Sequence, residues 1–354
     1  MEKLNVLMIG PARNVKGGMT TVVNNYFEYG LKEKVNLKYI ETINDNNKIS
    51  KFFKEIKGLI EFKKYINNYE IIHIHMASRR STFRKGKYIK IAKEKEKKVI
   101  IHMHGGGFKD FYEKECNSIK KKKVKKILNS ADEMIVLSDE WKEYFQNIVP
   151  KERITVIHNG TKIPSDFNKN LNNKSILFLG RLNAEKGIYD LLEVIKKIKK
   201  EYSDVLLSIC GVGEDIKIAN YIKNYDLTKN VKILGWIDGK EKERQLKDNT
   251  YFILPSYYEA LPMSLIEAMA YKCISIATNV GGIPRIIDNG TNGIMVNPGD
   301  IDNITNSLIE LMENEKKREK ISSEARKKII KSFSIDESIN KTFMLYKKIT
   351  NRNK

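Results

Sequence analysis

Short apolar runs alternate with helical stretches along almost the whole chain, and the alternation is made twice. In the first half the candidate strands are Asn5–Gly10, Asn36–Thr42, Ile71–Met76, Lys98–His104, Glu133–Ser138 and Ile154–His158. In the second half they are Ser175–Gly180, Val205–Gly211, Val231–Trp236, Tyr251–Pro255, Cys273–Thr278 and Gly293–Val296. Strand, helix, strand in strict succession is the pattern of parallel α/β layers, because parallel strands need a helical crossover between them. Gly160 to Lys174, with Pro164 and several Asn and Lys, reads as a linker. The expectation is an α/β protein of two doubly wound, Rossmann-like domains facing across a cleft, residues 1–165 and 166–334. A length of 354 residues with 41% apolar content suits two ordinary cores.

Ligands in such sheets sit beyond the carboxyl ends of the strands, so residues following strand ends are the first candidates for a site. Glu259-Ala260-Leu261-Pro262-Met263-Ser264-Leu265-Ile266-Glu267 follows the strand at Tyr251. Pro262 suits a helix's first turn, since it lacks an N–H and its φ is already helical. Glu259 would then lie just before the helix and Glu267 inside it, with the free backbone N–H groups of the first turn between them. Those donors, at the positive end of the helix dipole, suit an anion or hydroxyl, and the two carboxylates suit a polyhydroxylated ligand. A sugar joined to a phosphate has both.

Upstream, Ser175-Ile176-Leu177-Phe178-Leu179-Gly180-Arg181-Leu182-Asn183-Ala184-Glu185-Lys186-Gly187 turns at Gly180 and places two cations before an amphipathic helix. Arg181 offers a planar fork and Lys186 a point charge, both suited to neighbouring diphosphate oxygens. Singly, these charges would equally fit solvated surface positions or an Arg181–Glu185 ion pair. Gly17-Gly18, before the first long helix, fits a loop whose amides approach a phosphate, or a flexible turn. Gly211-Val212-Gly213 is incomplete as a dinucleotide fingerprint, because Ile216 stands where a third Gly belongs. His73 and His75, like His102 and His104, alternate along strands, so each pair shares one face. With no acidic ligand nearby in sequence they read as polar groups at a sheet end, and no metal is expected. Asp300-Ile301-Asp302 reads as a helix N-cap.

Cys116, Cys210 and Cys273 are odd in number and irregularly spaced, against a disulfide framework or a zinc site. No apolar run reaches the roughly 18 residues of a spanning helix, and Gly10-Pro11 ends the first strand too soon for a signal-peptide core. A cytoplasmic location follows as the expectation. Residues 1–170 carry 35 Lys plus Arg against 20 Asp plus Glu, most of the chain's net +21. Part of that excess lies in Arg79 to Lys98. Lys120-Lys121-Lys122-Lys123-Val124-Lys125-Lys126, beside Ile127 and Leu128, reads as a basic amphipathic helix resting on the anionic inner leaflet. A solvated lysine-rich face would give the same run. Nucleic acid is not the expected partner, since no aromatic-rich basic module is present.

The Gly-Arg-Leu…Glu-Lys-Gly and Glu-x7-Glu runs, in this order, resemble the motifs of retaining glycosyltransferases of family four (glycosyl transferases group 1), which have the GT-B fold. Gly17-Gly18, His104-Gly105, Asn159-Gly160, Gly211-Val212-Gly213 and Gly281-Gly282-Ile283-Pro284 extend the resemblance over about residues 4 to 335. Ala260, where many relatives have Gly, and His158, where Pro is common, depart from it mildly. The resemblance implies transfer of a sugar from a nucleotide diphosphate, most simply a UDP-sugar, to a hydroxyl of a glycan acceptor, polyprenyl-diphosphate-linked, in bacterial surface polysaccharide synthesis. It implies Arg181 and Lys186 on the leaving diphosphate, Glu259 and His104 on the sugar, and Glu267 on the ribose. Gly17, Gly18, Gly180, Gly211 and the segment Leu261, Pro262, Met263, Ser264 would line the donor site, with no metal or other cofactor. The first domain would bind the acceptor and the second the donor, and a last helix within 335–354 would pack back on the first. A sugar-nucleotide epimerase of the same fold, or a non-enzymatic basic protein on membranes or nucleic acid, is the alternative. An epimerase should lack Arg181 with Lys186 in this setting.

Overall fold

The computed structural model describes residues 3–44 and 48–351, with the side chains of Lys48 and Asn351 left aside. The chain divides into two compact units. The first runs to Gly160 and includes the helix Ile335–Asn351; the second is Thr161–Ser334. Residues 1, 2 and 352–354 of the expected domain ranges lie outside the described residues.

In the first unit the strands are β1 (Asn5–Gly10), β2 (Asn36–Glu41), β3 (Ile71–Met76), β4 (Lys98–Met103), β5 (Glu133–Val136) and β6 (Ile154–Val156). They form one parallel sheet in the order β2-β1-β3-β4-β5-β6. The second unit has β7 (Ser175–Leu179), β8 (Leu206–Cys210), β9 (Val231–Gly235), β10 (Tyr251–Leu254), β11 (Ile274–Thr278) and β12 (Ile294–Val296), parallel in the order β12-β11-β10-β7-β8-β9. The central strands are covered on both faces, which is why they read as largely apolar runs, interrupted in the first unit by histidines: Ile72, Ile74, Ile101, Phe178, Ile209 and Phe252 are fully buried. Strand ends differ from the sequence reading by one or two residues. The six expected strands of each half all form.

The sequence boundary at residue 165 moves to Gly160. Thr161 N–H already donates to Phe333 O at 2.9 Å, so the polar stretch up to Lys174 belongs to the second unit although it carries no helix or strand.

In the first unit the four strand histidines gather on one sheet face. His75 lies opposite His102 in the β3–β4 register. His73 Nδ1 is 2.6 Å from Tyr346 Oη of the last helix, His73 Nε2 is 3.2 Å from His102 Nδ1, and His75 Nδ1 is 2.8 Å from His104 Nε2. From the helix Gly18–Glu28, Tyr26 reaches Thr342 at 3.0 Å. A polar network thus fastens the last helix to the sheet. Burial holds all four imidazoles neutral, with His73 and His104 pushed down to about 3 and His75 and His102 well below the ordinary value.

Histidines neutral in the fold gain protons on unfolding once the pH drops below about 6.5, so their contribution is complete above that pH and is lost as the pH falls toward 3. Between pH 7.5 and 5, each of the fully buried His73, His75 and His102 should cost roughly 2 kcal/mol of unfolding free energy. Urea unfolding at the two pH values measures this. A first unit equally stable at both would refute the neutral network.

Candidate nucleotide-sugar site

The order of the second sheet reverses between β7 and β10, whose pairing sets Ile176 beside Tyr251 and Leu177 beside Phe252. Two crossovers leave in opposite directions there, so this is the switch point at whose carboxyl ends ligands of doubly wound sheets sit. The loops after both strands carry the expected site residues.

After β7 the chain turns through Gly180 and exposed Arg181 into a short 3-10 turn, Ala184–Lys186, capped by Asn183 Oδ1 on Lys186 N–H at 3.1 Å. Gly187, at φ +68°, starts the amphipathic helix Ile188–Ile198. After β10, Ser256 to Pro262 lead into the helix Met263–Ala270. Pro262 is the N-cap of that helix, at φ −71° and ψ 118°, and not a first-turn residue. Its extended ψ keeps it just outside, and the helix begins one residue later than expected. The first amides, Met263 and Ser264, have no acceptor within their own helix, so the expected donors are present.

The structure joins residues that the sequence shows apart. Lys186 Nζ lies 2.6 Å from Glu259 Oε1, which also accepts from Ser256 Oγ at 2.9 Å. Lys242 Nζ, from the helix Gly239–Asp248, lies 2.8 Å from Oε1 of the buried Glu267. Lys242 and Ser256 escaped sequence reasoning. Lys242 sits among Lys240, Glu241, Glu243 and Arg244, and only tertiary packing selects which charge turns inward.

Glycines set the spacing of these loops. A Cβ on Gly211 would lie 1.8 Å from Gly180 O, so Gly211 lets the loops after β7 and β8 touch. Gly281, at φ +54°, lies against Glu259 O with 1.8 Å to an added Cβ, and Gly282 N–H donates to Ala260 O at 2.8 Å. The sequence showed this glycine pair but not that it backs the Glu259 loop.

In the first unit, Gly17 has φ +154° and begins the helix Gly18–Glu28. A Cβ on Gly17 or Gly18 would meet nothing within 4 Å, so no protein atom crowds that backbone. His104 is half-buried, and its bond to His75 commits Nε2 and leaves Nδ1 as the nitrogen for a hydroxyl. Among the described residues, His73, His75 and His102 group three donor nitrogens within 4.8 Å. Their rings stack, His73 with His75 at 4.7 Å and His75 with His102 at 5.0 Å, and the His73–His102 hydrogen bond at 3.2 Å holds two of the nitrogens together. No carboxylate joins that group. Asp300 caps the helix Ile301–Glu313 through Asn303 N–H at 3.1 Å, and Asp302 pairs with Lys197. A groove of about 550 Å³ lined by Lys169, Lys272 and Arg326 lies at the other, amino end of this sheet and includes none of these site residues.

Two doubly wound parallel sheets of this order, with cations and carboxylates at a switch point, define the GT-B class of nucleotide-sugar enzymes. Residues 160–328 match the model for glycosyl transferases group 1, and residues 32–163 match that for glycosyltransferase family 4. The chain belongs to that family of glycosyltransferases. Its fold is similar to sucrose-phosphate synthase of Thermosynechococcus elongatus, with a TM-score of 0.83, 19% identity, and 99% of this chain and 100% of the other covered. An Escherichia coli relative, UDP-Gal:alpha-D-GlcNAc-diphosphoundecaprenol alpha-1,3-galactosyltransferase, is 27% identical over 83% of this chain and 79% of its own. An uncharacterized 41.2 kDa protein in the cps region of Klebsiella pneumoniae is 27% identical over 88% of this chain and 89% of its own.

Gly281→Ala should destabilise the second unit by more than about 1 kcal/mol, because it adds both a positive-φ strain and a backbone clash. Gly290→Ala shares the positive φ, +75°, without any atom within 4 Å of its Cβ, and so reports the strain alone. Urea unfolding of the two variants isolates the clash. Equal losses would show that the Glu259 loop does not depend on Gly281.

Proposed function

We propose that the protein is a metal-independent, retaining hexosyl- or N-acetylhexosaminyl-transferase that uses a UDP-sugar and extends a polyprenyl-diphosphate-linked glycan in surface polysaccharide synthesis. The observation that carries the reading is the Lys186–Glu259 pair at 2.6 Å, next to a helix N-terminus at the sheet's switch point. One cation and one carboxylate there suit the two ends of the bond to be broken: diphosphate oxygens on one side and sugar hydroxyls on the other. The relative that acts on UDP-Gal and a diphosphoundecaprenol-linked sugar supports the donor and acceptor classes.

In this reading the bond between the anomeric carbon and the β-phosphate oxygen breaks while the acceptor oxygen bonds to the same carbon from the same face. The acceptor proton passes to the departing phosphate. Arg181 and Lys186 stabilise the charge growing on that phosphate, with the first-turn amides of Met263 and Ser264 as further donors. Glu259 accepts from sugar hydroxyls and Glu267 from the ribose. His104, kept neutral, serves a sugar hydroxyl through Nδ1. Gly17, Gly18, Gly180 and Gly211 allow the backbone close to the donor.

Arg181→Ala and Lys186→Ala should each remove roughly 2–4 kcal/mol of transition-state stabilisation, a loss of about 30- to 1,000-fold in turnover, while folding persists. A screen of UDP-sugars for hydrolysis or transfer provides the assay, and near-normal turnover in either variant overturns the phosphate role. Inversion at the anomeric centre of the product would overturn retention.

Because fixed cations and a helix N-terminus offset the diphosphate charge, EDTA should leave turnover unchanged. Loss on chelation, restored by a divalent ion, would replace this mechanism with a metal-assisted one and point to the histidine group or Asp300 with Asp302.

A further inference from the structure

The expected membrane helix is real as a helix, Ser118–Asn129, but its apolar side is spent on the protein. Val124 and Leu128 are buried, and Ile127 packs against Gly86 of the neighbouring helix Arg80–Glu94. Of its apolar residues only Ile119 is strongly exposed. The rest of its outward face is mostly lysine.

An outward apolar face does exist, on the helix Lys48–Tyr65, which the sequence reading did not single out. Its inner side is anchored by buried Phe62 and by Gly58, where an added Cβ would come within 2.8 Å of Glu41 O and 2.9 Å of Tyr88 Oη. Opposite that side stand Ile49, Phe52, Phe53, Ile56 and Ile60, exposed by 39 to 68%. Counted from Ile49 the spacing is i, i+3, i+4, i+7, i+11, which at 100° per residue confines all five to an arc of about 100°. A helix apolar on two opposite sides is buried on both or meets a second apolar phase. Single exposed apolar residues need no explanation, but a continuous stripe holding two Phe does.

Charge selects the phase. The helix carries six Lys against two Glu, and Lys57, Lys63 and Lys64 are exposed beside the stripe. Helices 48–65, 80–94 and 118–129 link β2 to β3, β3 to β4 and β4 to β5, so right-handed crossovers place all three on one face of the sheet. On the second, exposed Lys87 and Lys90 are offset by Glu55 at 2.9 Å and Glu94 at 3.8 Å; the third adds six Lys and no acid and supplies most of the charge. Lys85 is buried on Thr42 and adds nothing to that surface. A second copy of this face would oppose like charge to like charge, whereas an anionic bilayer offers both the apolar layer and the counter-charge.

We propose that the helix Lys48–Tyr65 is an interfacial helix, inserting Ile49, Phe52, Phe53, Ile56 and Ile60 into an anionic lipid surface, with the lysines of the two neighbouring helices as its electrostatic apron. The purpose of this contact rests on the lipid-linked acceptor reading, although the contact itself does not. Insertion and attraction are separable. The stripe sets whether the protein enters the lipid, and the lysines set how binding responds to charge and salt.

The experiment is flotation of the full chain with vesicles of phosphatidylcholine alone or with phosphatidylglycerol added. Wild type should float with the anionic vesicles only, and less so in 1 M salt, where the Debye length falls to about 3 Å. Phe52→Ser, Phe53→Ser and Ile60→Ser combined should weaken flotation by roughly tenfold or more through lost apolar burial, with circular dichroism unchanged because all three are exposed. Phe53→Trp should be quenched by brominated acyl chains, whereas the native Trp141 and Trp236 should not. Wild type that stays at the bottom, or a triple variant that floats as wild type does, overturns the inference. A wild type that self-associates without lipid while the triple variant is monomeric would overturn it in favour of a protein interface. Arg181→Ala should still float, and the triple variant should still turn over a soluble acceptor, so failure of lipid binding is distinguishable from failure of the transferase reading.

Discussion

Parallel pairing of β7 with β10 is the constraint on which the second unit turns. Sequence-distant strands lie side by side there, so the loop carrying Arg181 and Lys186 and the loop carrying Ser256 and Glu259 leave the sheet as neighbours. Everything else in the site preserves that closeness. Gly187 presses on Pro255 O, Gly211 on Gly180 O, and Gly281 on Glu259 O, at separations that no Cβ would tolerate. Tyr257 N–H donates to Glu185 O at 2.9 Å, tying the two loops by backbone as well. The Lys186–Glu259 pair is the outcome of this packing and not its cause, because a half-buried ion pair gains little over hydration unless its groups are already held in place.

The candidate site therefore holds these charges in pairs. Lys186 is bonded to Glu259, and Lys242 to Glu267. Pairing compensates the charge of a carboxylate as buried as Glu267, which alone would stand in a poor dielectric. In the proposed reaction, diphosphate oxygens would draw on Lys186 and release lone pairs of Glu259 for sugar hydroxyls. An ammonium with three donors and a carboxylate with several acceptor directions can share a ligand without first parting. Binding energy is then spent on exchange of partners and not on desolvating bare charges.

Strands and their order of appearance were legible because a strand covered on both faces is mostly apolar, so Ser175–Leu179 can be read directly and Ile71–Met76 is broken only by His73 and His75, whose ring nitrogens bond to Tyr346 and His104. The cation and carboxylate motifs were legible as well, since each follows a strand end. What was hidden depended on contacts between distant segments. Nothing local marks Lys242 as the charge that turns toward Glu267, or Gly281 as the residue that backs Glu259. The helices of the first unit misled for a related reason. Val124, Ile127 and Leu128 beside a lysine run have the periodicity of a lipid-facing helix, yet periodicity reports that one side is apolar and not which apolar phase it meets. The helix at Lys48–Tyr65 reads as an ordinary core helix until burial shows that Phe62 alone among its phenylalanines faces inward.

The two units share an architecture and differ in how their outer helices are charged. Such a difference is not required by the fold, since parallel sheets need apolar inner faces and leave outer positions free. The first unit's three crossover helices carry 18 cations against three acids, and they share one face, so the excess is a directed patch. In the second unit, the helix Gly239–Asp248 instead carries Glu241, Glu243 and Asp248 beside its Lys and Arg, bonded as Arg244 to Glu241 and Lys247 to Glu243 at 2.7 and 2.8 Å. Charges paired within one helix cancel at a distance. On the first unit's three helices Lys54, Lys87, Lys90 and Lys93 are paired. The six Lys of Ser118–Asn129 have no acid on their own helix, and their charges add into a field that reaches a surface before any contact is made.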